Sequence, residues 1–472
     1  MRTSIIVIII ICNFYTSYGQ LTIIDPITAE DYSKQAHQYL ESKNYLSALA
    51  SIRQAHTLDQ HNPSIQFTYA YILGKNDLLQ EAINLYDQLL INNPDNSSIL
   101  HNKAYTLKVM GKFNQAIPLY QQVLRIHNDF EHAKLGLSHC YWATGQLTLA
   151  WPLLEYRFSD IKNCQATYKH HLITPELLLG KTVTILAEWS LGDMIQCIRY
   201  APILKKYGAT HITLQAFKPL IPLLSQSHLV DTIIGQDEPL PVTDFYIPLV
   251  SLPLVCKTTL ETIPCNIPYI QADPDLVTHW HHKIEQIEQD HLLHNNYNKR
   301  FRIGICWCGK PGHTLEDSCY TARPAPLKLF SELTKIPTVQ LYSLQQQFGM
   351  EEIDMLKNLP LEQQFSLYIF DTDFDVTNGR YMDTAAVIKN LDLIISIDTS
   401  IVHVAGALGV PVWVMIPYTS EFRWFSPQQS GHAEFETTTP WYPTMKLYRQ
   451  ETPGDWQSVM ARIQHDLEKF LL

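Results

Sequence analysis

Four alanines, Ala48, Ala82, Ala116 and Ala150, stand 34 residues apart, and Ala36, Ala70, Ala104 and Ser138 repeat that interval twelve residues earlier. Large residues keep step with both series. Tyr39, Leu73, Leu107 and Tyr141 follow the earlier one, and Ile52, Tyr86, Tyr120 and Leu154 follow the other. Small residues at two fixed places let two antiparallel helices approach closely, and the large ones fill the seam to the next pair. Turn-forming residues fall at Lys43-Asn44, Asn76-Asp77, Gly111-Lys112 and Gly145-Gln146, and Pro94 closes one unit. Residues 28–158 therefore predict a short α-solenoid of about four helix pairs.

This spacing resembles the tetratricopeptide repeat. Each pair leaves apolar surface for its neighbour, so a concave groove is expected. The groove could hold an acceptor protein or peptide or serve assembly; equally, the array could be a structural cap. Trp151-Pro152, Tyr156 and Phe158 at the end of the fourth unit predict packing on the domain that follows.

At 472 residues the chain is too long for one core. Its 46% hydrophobic and 17% charged residues indicate a globular chain. A net charge of −11 without long runs of either sign argues against nucleic acid or an anionic membrane surface as the main partner. Residues 1–19 have the shape of a secretory signal peptide, with Arg2, an apolar run from Ser4 to Cys12, and Ser17 and Gly19 before Gln20. An uncleaved N-terminal anchor is the alternative, and no other segment could cross a bilayer. Either reading makes the chain exported or membrane-anchored. The nine cysteines form no C-x-x-C pair and read mostly as small core residues. His279-Trp280-His281-His282 looks metal-like but fits a helix surface better.

From Lys181 the pattern changes to strands separated by helices. Strands are expected at 182–188, 211–215, 230–234 and 244–247, with a turn over 189–193 and a helix over 194–206. A second series is expected at 302–307, 338–343, 366–370, 391–397 and 412–416, and a final helix at 455–470. These are βαβ units, and they predict two parallel, doubly wound domains, 168–280 and 301–472, joined by a linker helix at 281–300. Ligands in such sheets sit outside the carboxyl ends of the strands.

Three loops would line a crevice between the halves. In LDLIISIDTSIVHVAGALGVPVWVMIP a buried strand meets Asp398-Thr399-Ser400 and a small-residue helix closed by Gly409 and Pro411. Free N–H groups and the dipole at that helix start suit a phosphate, and His403 lies one turn on. The second loop is Trp307-Cys308-Gly309-Lys310, running on to Arg323, where glycine permits close approach and the cations can neutralise diphosphate. The third, Leu191-Gly192-Asp193, places Asp193 either as a helix cap or as a general base.

AEWSLGDMIQCIRYAPIL, IGICWCGKPGH with ARPAPLKLF, MDTAAVIKNLDLIISIDTSIVHVAGALGVPVWVMIP and TPWYPTMKLYRQ occur in this order. Together they resemble tetratricopeptide-repeat glycosyltransferases with a heptosyltransferase-like catalytic region of glycosyltransferase family 9. The resemblance covers about residues 30 to 470. It implies an α-solenoid followed by a GT-B fold of two Rossmann-like domains, a nucleotide sugar held mainly by the second, and no cofactor or required metal. It also implies residue roles: Asp193 as the base, Asp398 and Thr399 for donor sugar and pyrophosphate, with Ser400 and His403 beside them. Trp307 and Gly309 fall on the family's Trp-x-Gly motif, and Arg323, with Lys310 near it, on the phosphate-binding cation.

Three departures bear on the acceptor. Trp189-Ser190 replaces the family's Gln-Gly, Pro324 follows the matching arginine instead of serine, and Gly431 to Thr439 resembles an inserted surface loop. The expected activity is transfer of a sugar from a nucleoside diphosphate to a hydroxyl of a saccharide or protein, with inversion. The alternative is a repeat-based interaction scaffold whose transferase region is degenerate and non-catalytic.

Overall fold

The computed structural model describes residues 27–158, 174–292, 300–310, 324–360 and 363–472. The signal-like segment and Arg323 lie outside these residues. Two compact units divide between Asn76 and Asp77.

The first unit holds α1 (Ala29–Glu41), α2 (Tyr45–Leu58) and α3 (Pro63–Lys75). The Thr28 N–H and hydroxyl donate to Asp31 at the start of α1, and Asn62 caps α3 ahead of Pro63, as the missing N–H of proline favours. The Asn76 amide donates to the Tyr45 carbonyl at 3.0 Å, holding the turn after α3 against α2.

The second unit begins with α4 (Leu79–Asn92), α5 (Ser97–Val109), α6 (Phe113–Ile126), α7 (Glu131–Ala143) and α8 (Leu147–Leu154). All eight small residues of the 34-residue series are fully buried, as close helix approach requires. Lys43, Asp77, Gly111 and Gly145 carry φ of 57°, 59°, 71° and 77°. The left-handed residue that ends the first helix of each repeat thus recurs with the same period. At Gly136 a Cβ would lie 2.5 Å from the Tyr120 ring, so α6 and α7 meet over a position without a side chain.

The fourth repeat packs on the next domain as expected. The Trp151 indole donates to the Thr258 carbonyl at 2.9 Å, and the Ser426 N–H donates to Ala143 O at 2.7 Å. The segment expected as a surface loop, Gly431 to Thr439, is instead partly interior. Phe435 is buried and stacked on Phe425 at 4.8 Å. Just before it, Gln429 accepts from the Asn114 N–H of α6 at 2.8 Å.

Two parallel sheets follow. The first contains β1 (Thr182–Leu186), β2 (His211–Ala216), β3 (Thr232–Gly235) and β4 (Phe245–Pro248) in the order β3-β2-β1-β4. The second contains β5 (Phe301–Cys306), β6 (Val339–Ser343), β7 (Leu367–Tyr368), β8 (Leu393–Ile397), β9 (Val412–Ile416) and β10 (Met445–Arg449). Its order is β10-β9-β8-β5-β6-β7. The expected architecture, a helical solenoid followed by two Rossmann-like halves, is the observed one. Strand β10 had no counterpart in the sequence reading because Lys446 and Arg449 interrupt its apolar run. Both are accommodated: Lys446 pairs with Asp466, and Arg449 donates to Trp424 O and Phe435 O.

The helix α9 (Leu191–Cys197) follows β1 and starts three residues earlier than expected. The expected linker helix is α10 (Pro274–Leu292), which begins earlier because Asp273 accepts from the Asp275 and Leu276 N–H groups ahead of Pro274. It buries Trp280 against the second half, donating to Asp383 at 2.8 Å, and leaves His279, His281 and His282 on its exposed side. Helices α11 (Met382–Ile388), α12 (Ser400–Ala407) and α13 (Trp456–Leu471) complete the parts used below. Among the described residues no helix is long and apolar enough to cross a membrane.

Candidate functional site

Strand order reverses between β1 and β4 in the first sheet and between β5 and β8 in the second. Loops leaving a reversal point diverge to opposite faces and open a crevice at the strand ends. A cleft of about 570 Å³ lies there, within the common range for small-molecule sites. Its walls begin just past the ends of β1 (Trp189 to Gly192), β2 (Phe217), β5 (Cys306, Cys308 to Lys310), β6 (Leu344 to Phe348), β8 (Asp398 to Ile401) and β9 (Glu421, Arg423).

On the second half, α12 starts at the cleft floor. Its N-cap is Thr399, in extended conformation, and no side chain caps the helix. The Thr399 hydroxyl instead lies 3.3 Å from Ser396 Oγ and donates to Cys306 Sγ. The first-turn N–H groups, with the dipole behind them, therefore present partial positive charge to the cleft. Ser400 Oγ lies 2.8 Å from the Tyr381 hydroxyl, where α11 begins. Asp398 is buried in the cleft wall.

Beside α12 the loop after β5 is braced by one side chain. Gln345 accepts from the N–H groups of Trp307 and Cys308 at 3.0 and 2.9 Å, and donates to Cys308 O and Phe348 O at 2.8 and 2.6 Å. Gly309 and Lys310 line the cleft, and a Cβ on Gly309 would meet Thr399 at 3.4 Å. Trp307 does not reach the cleft. Its ring is fully buried in the core of the second half, donating to Gly349 O at 3.3 Å, and it anchors the loop.

His403 lines the cleft from the next turn of α12. It stacks on Trp424 at 5.8 Å, and its Nδ1 lies 3.0 Å from the Tyr442 hydroxyl. Tyr442 continues to the Tyr269 hydroxyl at 3.2 Å, and Arg199 donates to Tyr269 at 2.9 Å. The Arg199 guanidinium lies over both tyrosine rings, 4.7 and 4.3 Å from their centroids. Trp441-Tyr442 is thus the inner wall that ties the two halves behind His403. A Cβ on Gly192 would lie 2.9 Å from His403 Cδ2, so α9 and α12 meet here only because that position is glycine.

Asp193 lies behind the cleft-lining residues. One oxygen accepts from the Ser190 N–H and hydroxyl at 3.0 and 2.6 Å; the other accepts from Arg423 at 2.6 Å. The carboxylate therefore both braces the start of α9 and pairs with the facing half. Arg423 also donates to Gln196 at 2.8 Å and to Glu421. Burial works against its charge, but Asp193, Glu421 and Asp398 outweigh that cost and hold Arg423 well above the usual range.

The structure thus brings together Gly309, Lys310, Asp398, Thr399, Ser400 and His403. It adds residues that sequence reasoning missed. Arg423 and Glu421 come from the loop after β9, where no local motif marks them. Arg380 and the buried Asp375 come from the segment before α11. Burial pushes the Asp375 carboxyl up, against hydrogen bonds from Thr384. Among the described residues no group of three or more histidine, cysteine, aspartate or glutamate side chains is arranged to hold a metal.

Residues 85–117 and 110–154 match tetratricopeptide-repeat family models. Protein FlbA of Caulobacter vibrioides is 22% identical over 412 residues, 82% of this chain and 64% of FlbA. The chain therefore spans less than two thirds of that relative's length. Among solved structures, a glycosyl transferase family 9 protein from Veillonella parvula is similar with a TM-score of 0.42 at 13% identity, covering 62% of this chain and 98% of its own. A tetratricopeptide repeat protein from Parabacteroides merdae is similar over 31% of this chain and 58% of its own, at 18% identity and a TM-score of 0.28. The expected tetratricopeptide repeats are the part of the reading that the family models return.

Proposed function

We propose that the chain is a glycosyltransferase that moves a sugar from a nucleoside-diphosphate donor to a hydroxyl acceptor, with inversion and without a required metal. The observation that carries this reading is the meeting of both strand-order reversals at one cleft, with the uncapped start of α12 on its floor. Diphosphate would lie against that helix start, with Lys310 and Arg380 at hand, and Arg323 expected from the neighbouring segment. These groups oppose the negative charge that grows on the leaving diphosphate as the anomeric C–O bond breaks. Asp398 would orient the donor sugar. The acceptor oxygen forms the new bond on the opposite face and gives its proton to a carboxylate.

Asp193 is the carboxylate proposed for that proton. Its Ser190-bound oxygen already takes two donors, while the oxygen facing Arg423 keeps one lone-pair position. Glu421 shares the same guanidinium and lines the cleft itself, which makes it the competing base. Transfer and slow donor hydrolysis by Asp193→Asn and Glu421→Gln separate the two: the true base loses transfer but keeps donor binding.

The second reading is a repeat-based interaction scaffold with a non-catalytic transferase region. The commitment of Asp193 to a helix start and an ion pair favours it. Incubation with a panel of nucleotide sugars decides between them. If no donor is bound or hydrolysed, the scaffold reading stands.

A further inference from the structure

Eight of the nine tryptophans are at most 9% exposed, whereas Trp189 is 39% exposed at the cleft wall. Its φ is 60°, a left-handed conformation that costs a bulky residue energy and persists where the surroundings impose it. An exposed aromatic in a strained turn at the rim of a cleft gains nothing for the core.

What holds it there is an aromatic path from the repeats. Trp142 of α7 meets Trp151 at 4.5 Å and Phe422 at 4.5 Å, and His139 stacks on Phe422 at 4.6 Å. Phe422 in turn meets Trp189 at 6.1 Å and an angle of 65°. A contact that steep covers at most one face of the indole. The last repeat thus positions a tryptophan face beside Ser190 and Glu421, at the acceptor side of the cleft.

We propose that Trp189 is the floor of an acceptor subsite that takes a carbohydrate ring. A pyranose has an apolar face of C–H groups and a rim of hydroxyls. An aromatic face in a cleft that is also lined by the Glu421 carboxylate and the Gln346 and Gln347 amides complements both. One common way to recognise an extended peptide is pairing with a sheet edge. This cleft sits at strand ends, and its lining offers side chains and a helix start instead. The word acceptor rests on the glycosyl-transfer reading; binding of the saccharide does not.

The test uses the full chain and a panel of neutral probes, maltose, cellobiose, lactose and N,N′-diacetylchitobiose, beside serine- and threonine-containing peptides. At least one saccharide is expected to shield the exposed indole from acrylamide quenching and to bind in a calorimetric titration. Trp189→Phe should bind that saccharide within several-fold of the wild type. Trp189→Ala and Trp189→Gly should weaken it at least tenfold, with Trp189→Gly the more stable of the two because glycine suits φ of 60°. A residue that only braced the turn would change stability without this dependence on an aromatic ring. The inference is overturned if only peptides shield the indole, if no probe does, or if Trp189→Ala binds the saccharide as the wild type does. Donor hydrolysis without saccharide binding would remove this inference alone. Saccharide binding without donor turnover would remove the transferase reading alone.

Discussion

The Arg423 guanidinium donates to the Asp193 carboxylate at 2.6 Å, and both side chains are more than nine-tenths buried. Asp193 belongs to the first α/β half and Arg423 to the second, so this pair crosses the boundary between them at the back of the cleft. Glu421 and Gln196 complete the guanidinium's partners.

Removing one member strands the other's charge. Asp193→Ala should destabilise the second unit by about 3 kcal/mol, the lower end for a broken buried pair because Glu421 remains. Asp193→Asn should cost less. Urea denaturation of both variants measures this, and equal stability of Asp193→Ala and wild type would show that the pair does not form in solution.

Gly192 has no room for a methyl group. Gly192→Ala would set a Cβ 2.9 Å from His403, inside the closest approach that carbon atoms tolerate, and should force α9 and α12 apart. The expected outcome is a loss of about 1–3 kcal/mol in stability together with weaker donor binding. Donor titration and thermal melting should both register it.

Lys310 is exposed at the cleft rim and adds little to the fold. Lys310→Ala should leave stability within about 0.5 kcal/mol. It should lower transfer on the order of 10²-fold, as for loss of one group that stabilises transition-state charge. Unchanged transfer would remove Lys310 from the leaving-group side.

The junction between the repeats and the α/β halves should be acid-labile. Burial, helped by Lys108 and opposed by Glu421, pulls the His139 pKa from the usual 6.5 to about 3. The folded chain then binds fewer protons than the unfolded chain between those values, so stability is full above about 6.5 and falls as pH drops towards 3. His139→Phe should flatten that fall, as followed by thermal melting across the acid range. An unchanged slope would mean that His139 protonates in place.

Much of this was readable from sequence, for identifiable reasons. The 34-residue period survives because each small residue meets the same physical demand, and all eight are buried. The strand-to-helix turn at Asp398 was readable because an apolar strand, three polar residues and a small-residue helix follow one another locally. Arg423 was not, because its partner lies 230 residues away and nothing near it in sequence announces a buried cation. The start of α9 was misplaced although its cue is local: Asp193, set in the turn as a cap or base, reaches back to the Ser190 N–H and hydroxyl three residues earlier and so belongs to the first turn of the helix. Strand β10 hid behind two charged residues whose partners lie 14 to 25 residues away, outside the strand's own pattern.

In the proposed function, α12 and the loop after β5 hold a nucleoside-diphosphate sugar. Calorimetric titration of the full chain with a panel of nucleotide sugars, repeated with Asp398→Ala, tests it most directly. One donor should bind the wild type saturably, and Asp398→Ala should weaken that binding at least tenfold. Absence of binding by every donor, or equal affinity in the variant, would contradict it.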